Sequence, residues 1–356
     1  MDFFRGDDKR AVEAKEEAQK IAWAPFVFQT AKALKALGIL KIVDQAGEEG
    51  YTTEQVAHHS NISRYGARVL LEAGLGSHIF YLTSDDKFAL SKTGFFILRD
   101  EMTNVTMNFV NDVCYQGLYY LQDAIINQKP EGLKVFGEWD TVYEALNDLP
   151  PDARESWYAF DHYFSDVAFS EVIPRVLKHK PRMIYDVGGN TGEFTEQIIQ
   201  ADHHVKVTLI DLPGQIRTAK EKLNGQLDNR VYFHPIDLRD QEASFPTGAD
   251  TIWMSQFLDC FSEEEITSIL QRAKGALTDD GNLHIMETFW DRQRFEAGAF
   301  SLQQLSLYFT TIANGNSQMY HSKVMINCLH EAGFYVEEDI DQVGIGHTLL
   351  TCRKKR

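Results

Sequence analysis

The residues best suited to chemistry lie in one stretch, Asp186-Val-Gly188-Gly189-Asn190-Thr191-Gly192. It joins the apolar run Met183-Ile-Tyr185 to the helix-like segment Glu193-Phe-Thr-Glu-Gln-Ile-Ile-Gln200. Glycines in such a turn let the backbone bend tightly and approach a ligand closely, beside the positive end of a helix. Twenty-five residues after Asp186, the segment Val205-Lys-Val-Thr-Leu-Ile-Asp211 ends in a carboxylate, placed to accept both hydroxyls of a ribose. Strand, glycine turn, helix, strand and acid together specify a ribose-containing cofactor. The dinucleotide form Gly-x-Gly-x-x-Gly would need glycine at position 187, which is Val. Asp186 at the strand end suits an ammonium group better than a pyrophosphate. S-adenosylmethionine (SAM) carries both an ammonium and a sulfonium, and so fits. Asp237, in His234-Pro-Ile-Asp-Leu, stands near where an adenine amino group would bind; its plain alternative is a strand-end turn residue.

The rest of the composition narrows the partners. The chain has 356 residues with 52 Asp+Glu against 35 Lys+Arg, a formal charge of −17. Phosphate backbones are held by clustered Lys and Arg, so this balance argues against nucleic acid and against anionic membrane surfaces. No apolar run approaches the roughly 18 residues of a membrane span, and the charged start MDFFRGDDKR is unlike a secretion signal, so the expected location is cytoplasmic. Cys114, Cys260, Cys328 and Cys352 stand far apart, as reduced thiols do. The adjacent pairs His58/His59 and His203/His204 lack helical i, i+4 ligand spacing and read as surface residues, so no metal is expected.

Two kinds of element must position these residues. Residues 9–22 and the segment after Pro25, which Gly38 ends, are helical. An N-capped helix from Thr52 and another through SRYGARVLLEAGLG follow, and then two short strands around Ser84-Asp85-Asp86. This order is the winged-helix pattern. Its would-be recognition helix has Ser63, Arg64 and Arg68 but also Glu72, and the wing bears Asp85 and Asp86, so packing or dimerisation is the better reading than DNA binding. Residues 1–105 form this domain and 106–356 the second, of which 106–180 is helical, aromatic-rich and substrate-lining. From 183 onward, strands at 183–187, 206–211, 231–236, 250–256, 282–287, 334–341 and 346–352 alternate with helices. That rhythm makes a Rossmann-like, doubly wound seven-stranded α/β sheet. The short Gly344–Gly346 link makes its last two strands an antiparallel hairpin.

DVGGNTG, LIDLPGQI, TIWMSQFLD with SEEEITSILQRAKGAL, and HIME, in that order, resemble the successive motifs of the SAM-dependent O-methyltransferases with an N-terminal winged-helix dimerisation domain, the plant phenylpropanoid and bacterial polyketide-tailoring type. The resemblance spans nearly the whole chain. It implies a class I methyltransferase fold and a homodimer in which each N-terminal domain helps close the partner's pocket. It also implies SAM contacts at Gly188, Asp211, Leu212, Asp237 and Leu238, and places Ser255 where plant members carry a cofactor-side lysine. Phe160 and Phe164 of FDHYF resemble residues lining the methyl site. With Asn314 and the segment 285–310, including Phe289, Trp290, Phe295 and Phe300, they are expected around the acceptor.

The chain departs from that family at the chemistry. The family's Leu-His-Asp-Trp, whose histidine takes the acceptor proton, is here Leu258-Asp259-Cys260-Phe261. Glu287 matches one of the two acids flanking that histidine; the other is lost, and His321 stands just past its position. A phenol near pKa 10 gives its proton poorly to an ordinary Asp near 3.9, a gap of about six units or ~8 kcal/mol. Three routes are open: Asp259 as an unusual base, with Glu287; His321 or His162 in its place, although His162 lies off the Phe160/Phe164 face; or an acceptor acidic enough to need no base. The expected activity is methyl transfer to an oxygen of a small aromatic or apolar metabolite. Its rivals are a SAM binder with other or lost chemistry, and a winged-helix regulator that senses a small ligand.

Overall fold

The computed structural model describes residues 3–223 and 229–355, and the side chain of residue 166 also lies outside the description. The chain divides into two compact units, one ending at Asn108 and one beginning at Phe109. In the first, helices Ala11–Ala22, Ala24–Ala36, Ile39–Gln45, Thr53–Ser60 and Arg64–Gly76 precede a hairpin of β1 (Phe80–Leu82) and β2 (Phe88–Leu90), then helix Lys92–Arg99. Thr52 and Ser63 start their helices by accepting the N–H groups of Gln55 and Gly66. Leu34, Leu40, Val43, Val56, Leu71 and Phe80 form this unit's core.

The second unit is built on seven strands: β3 (Met183–Val187), β4 (Lys206–Asp211), β5 (Val231–Pro235), β6 (Ala249–Ser255), β7 (Leu277–Glu287), β8 (Phe334–Val343) and β9 (His347–Lys354). Their spatial order is β5-β4-β3-β6-β7-β9-β8. β3 to β7 are parallel, and β9 enters antiparallel between β7 and β8. β7 starts at Leu277, earlier than the sequence pattern implies, because Leu277 pairs with Ala249 before a register shift at the edge of that ladder. Strand order reverses between β3 and β6. In a doubly wound sheet the crevice at such a switch point, outside the carboxyl ends of the strands, receives the ligand.

Side-chain alternation along β6 shows how both faces of the sheet are covered. Ile252 and Met254 pack with the helix Glu263–Ala276 and with Met325 and Leu329. Trp253 points the other way, stacked on Phe194 at 4.4 Å and meeting Phe169 edge-on. Trp253 is 1 % exposed. Trp253→Ala is expected to lower unfolding stability by about 3–5 kcal/mol, read as a lower urea midpoint at unchanged slope; a loss under 1 kcal/mol would contradict this packing.

Candidate functional site

The carboxyl ends of β3, β4 and β6 open into a cavity of about 390 Å³, the size of a small-molecule site. Asp186, Gly188, Gly189, Asp211, Leu212, Asp237, Leu238, Ser255, Asp259, Asn314 and Phe160 all border it. The turn after β3 is cut close to its surroundings. Gly188 has φ +72°, and a Cβ there would sit 2.3 Å from the Phe257 ring; a Cβ on Gly189 would sit 2.8 Å from Asp186 Oδ2. Gly188→Ala is expected to leave the protein folded and to weaken cofactor binding about tenfold, measured by equilibrium dialysis. The reason is that the left-handed conformation costs a non-glycine residue about 1–2 kcal/mol and Phe257 must move.

The acids of this half differ in state. Asp186 is buried and accepts from Thr195 Oγ1 at 2.6 Å; burial pushes its carboxyl up to about 7, with the charge of Asp211 adding to the shift. Asp211 receives the backbone N–H groups of Asn190 (2.9 Å) and Leu212 (2.6 Å), yet burial still lifts it to about 6. At Asp237 burial acts upward too, but the Arg239 guanidinium, 2.6 Å away, holds the carboxyl below its usual range. Arg239 also reaches Glu144. Ser255 Oγ is buried with no hydrogen-bond partner. A glycine cradle without room for a Cβ, an uncompensated acid pair and an orphaned hydroxyl suit a cationic, ribose-bearing ligand.

At the far end, the short turn Leu258–Cys260 after β6 carries Asp259, 5 % exposed. Glu287, at the end of β7, props that turn: its Oε1 accepts the N–H groups of Phe257 (3.0 Å) and Leu258 (2.9 Å), while Oε2 is buried without a partner. Asn314 donates to the Cys260 carbonyl and Tyr320 to that of Phe261. Burial pushes Asp259 up to about 7, against the pull of a Cys260 Sγ–H bond of 3.4 Å and with Asp161 adding repulsion. Burial and then the Asp259 charge raise Glu287 well above the usual carboxyl range.

Several expectations need correction. Glu287 does not border the cavity; it acts from behind the turn. Phe164 lies behind Phe160, ring to ring at 5.0 Å, and is not on the wall. His321 caps the helix Ser322–Glu331, where its Nδ1 accepts the Lys323 N–H, and is outside the cavity. Phe289 is buried in the sheet core, Phe295 and Phe300 are 65 % and 57 % exposed, and Trp290 packs against His321. His162, set off the lining face in the sequence reading, borders the cavity and stacks on Tyr158. The long helix Pro151–Val176 explains these shifts. Its wall is set by Trp157, Asp161, Ser165 and Phe169 at i, i+4, i+8 and i+12, with Phe160 beside them. That spacing is legible in the sequence, one step round the helix from the Phe160/Phe164 pair. Tyr143, Tyr308 and Phe309 lie within the stretches 106–180 and 285–310 expected around the acceptor, and Cys260 and Met319 join them from outside. They complete the apolar end, where Trp157 donates to Tyr308 Oη at 2.7 Å.

Comparison with known proteins places this architecture. A family model described as an O-methyltransferase domain matches residues 118–335, and one described as a Dimerisation2-like domain matches residues 15–88. An L-tyrosine C(3)-methyltransferase of Streptomyces lavendulae is 21 % identical over 90 % of this chain and 88 % of its own length. The acetylserotonin O-methyltransferase of Gallus gallus is 20 % identical over 81 % and 84 %. Among solved structures, the mitomycin 7-O-methyltransferase superposes with a TM-score of 0.71 at 19 % identity, covering 96 % of this chain and 98 % of that one. With the matched region spanning well over half the chain and centred on the cleft just described, this protein belongs to the O-methyltransferase domain family.

Proposed function

We propose that this protein is a SAM-dependent methyltransferase that alkylates an oxygen of a small aromatic or apolar metabolite. The observation that carries the reading is one cavity holding both the β3–β4 cofactor signature and, at its apolar end, an ionisable carboxyl on a braced turn. When bound, SAM supplies an electrophilic methyl on a sulfonium. Gly188, Gly189, Asp186, Asp211, Leu212, Asp237, Leu238 and Ser255 would hold it, and Phe160, Trp157, Tyr308, Phe309 and Met319 would seat the acceptor ring. In-line transfer gains most from such positioning. Asp259 would take the phenolic proton as the oxygen–carbon bond forms and the carbon–sulfur bond breaks, with Glu287 positioning the Asp259 turn. The O-methyltransferase match and the methyltransferase relatives favour this reading over a SAM binder without methyl transfer or a ligand-sensing regulator.

The same proposal extends to assembly. The Dimerisation2-like match at residues 15–88 supports a homodimer, and the helices followed by the β1–β2 hairpin support a winged-helix reading of the domain at 1–105 with the catalytic domain at 106–356. The charge of −17 supports indifference to nucleic acid, and a cytoplasmic location is part of the same proposal. No helix among the described residues is long and apolar enough to cross a membrane. The test is SAH formation and methyl-label transfer to a phenol panel across pH. Below about pH 7 Asp259 holds its own proton and cannot accept another, so kcat/KM should climb with pH through about 7 and then level. A flat profile from pH 6 to 8 would remove Asp259 as the base.

A further inference from the structure

Three residues of the turn after β3 have positive φ: Gly188 (+72°), Asn190 (+47°) and Gly192 (+85°). Two are glycine, as that conformation favours, and the third bears a side chain that tolerates it better than most. The Asn190 amide is shared between two helices. Its Nδ2 donates to Asp161 Oδ2 at 2.9 Å, and its Oδ1 accepts from Nε2 of Gln215, also at 2.9 Å. A carboxylate can only accept, so Asp161 fixes which way the amide points. Gln215, in the helix Pro213–Lys222, is buried, and the Asn190 backbone N–H donates to Asp211 Oδ2. One residue thus joins the ribose acid, through its main chain, to the helix Pro151–Val176, through its side chain.

Asp161 stands where the two halves of the cavity meet, since its charge adds to the upward shifts of both Asp211 and Asp259. It lies one helical turn after Trp157 and next to Phe160, and all three border the cavity. Holding Asp161 holds the rings that would seat the acceptor. Methyl transfer needs the acceptor oxygen in line with the carbon–sulfur bond, and a misplacement of about 1 Å can cost roughly 100-fold in rate.

We infer that Asn190 is a positioning residue: it registers the acceptor wall against the cofactor turn, so that occupancy of the turn steadies the helix that seats the acceptor. The inference rests on the methyltransferase reading for what each half of the cavity holds.

The experiment exchanges donor and acceptor across the bridge. Asn190→Asp keeps an oxygen for Gln215 and a residue that tolerates positive φ, but sets two carboxylates face to face; adding Asp161→Asn restores the bond with its direction reversed. Amide hydrogen exchange over residues 157–165 of the full-length protein is followed with and without saturating SAH, with the helix Glu263–Ala276 as internal control. SAH should slow that exchange at least fivefold in the wild type, less than twofold in Asn190→Asp, and at least fivefold again in the double variant. A folding defect would move the control helix too, and the second substitution would not repair it. In methyl-label transfer to the phenol panel, Asn190→Asp should lower kcat at least tenfold in the wild-type background and less than threefold in the Asp161→Asn background. Asn190→Gly keeps the turn and its N–H to Asp211, so its SAH affinity by calorimetry should stay within threefold; a larger loss would make Asn190 a cofactor ligand and overturn the inference. Wild-type slowing in Asn190→Asp, or a double variant no better than that single one, would also overturn it. SAH binding to the wild type is read first: its absence would overturn the methyltransferase reading, while exchange in the ligand-free variants still decides whether the bridge holds the helix.

Discussion

Asp259→Asn should lower kcat toward an ordinary phenol by about two to three orders of magnitude, within the span that a positioned general base contributes. SAM affinity should stay within about threefold, because Asp259 sits at the acceptor end of the cavity. The size of the effect follows from the proton transfer. An aspartate at its ordinary value would face a gap of about six units from a phenol near 10; with burial lifting Asp259 to about 7, the gap narrows to about three, or ~4 kcal/mol. Glu287 supports this arrangement by holding the turn through its Oε1. The loss should therefore scale with the acceptor: an acceptor already ionised at the assay pH needs no base and should be methylated by the variant at nearly the wild-type rate. Uniform loss across acceptors would mean that Asp259 shapes the pocket rather than moving a proton.

Asp211→Ala should weaken SAM and SAH binding by about 100- to 1,000-fold, some 3–4 kcal/mol, the worth of two charge-assisted hydrogen bonds to vicinal hydroxyls. In the ligand-free protein this carboxylate also gathers the N–H groups of Asn190 and Leu212, so its removal loosens the glycine turn at the same time. The fold should survive. Burial lifts Asp211 to about 6, which marks an ionised form that is itself costly to keep in the apo protein at neutral pH. The ligand-free variant should then melt at or above the wild-type temperature, while its gain in melting temperature on adding SAH disappears. A variant that keeps the wild-type SAH shift would show that the ribose is held elsewhere.

Much of this was legible before any coordinates. The β-branched runs at 183–187 and 206–211, the glycines between them and Asp211 depend on local rules, namely period-two alternation, a turn that needs φ above zero and a carboxylate at a strand end. Those rules act over twenty to thirty residues, so the cofactor half of the cavity emerged nearly complete. The acceptor half did not. Its wall comes from the turn after β6, the helix Pro151–Val176, the π-helical turn Phe309–Ala313 and the loop to Met319, segments far apart along the chain. Aromatic density alone does not say which rings face a cavity; Phe289 and Phe295 differ only in where the chain carries them, one into the sheet core and one to the surface.

The sequence by itself therefore determined the sheet, the cofactor class and the replacement of a family histidine by Asp259. Only the tertiary structure decided what that replacement amounts to. It puts Asp259 where water is scarce and Asp161 is near, sets Glu287 behind it as a brace, and turns His321 away to cap a helix. A carboxyl's proton affinity is set by the dielectric and the charges around it, and these come from residues that no spacing along the chain brings together.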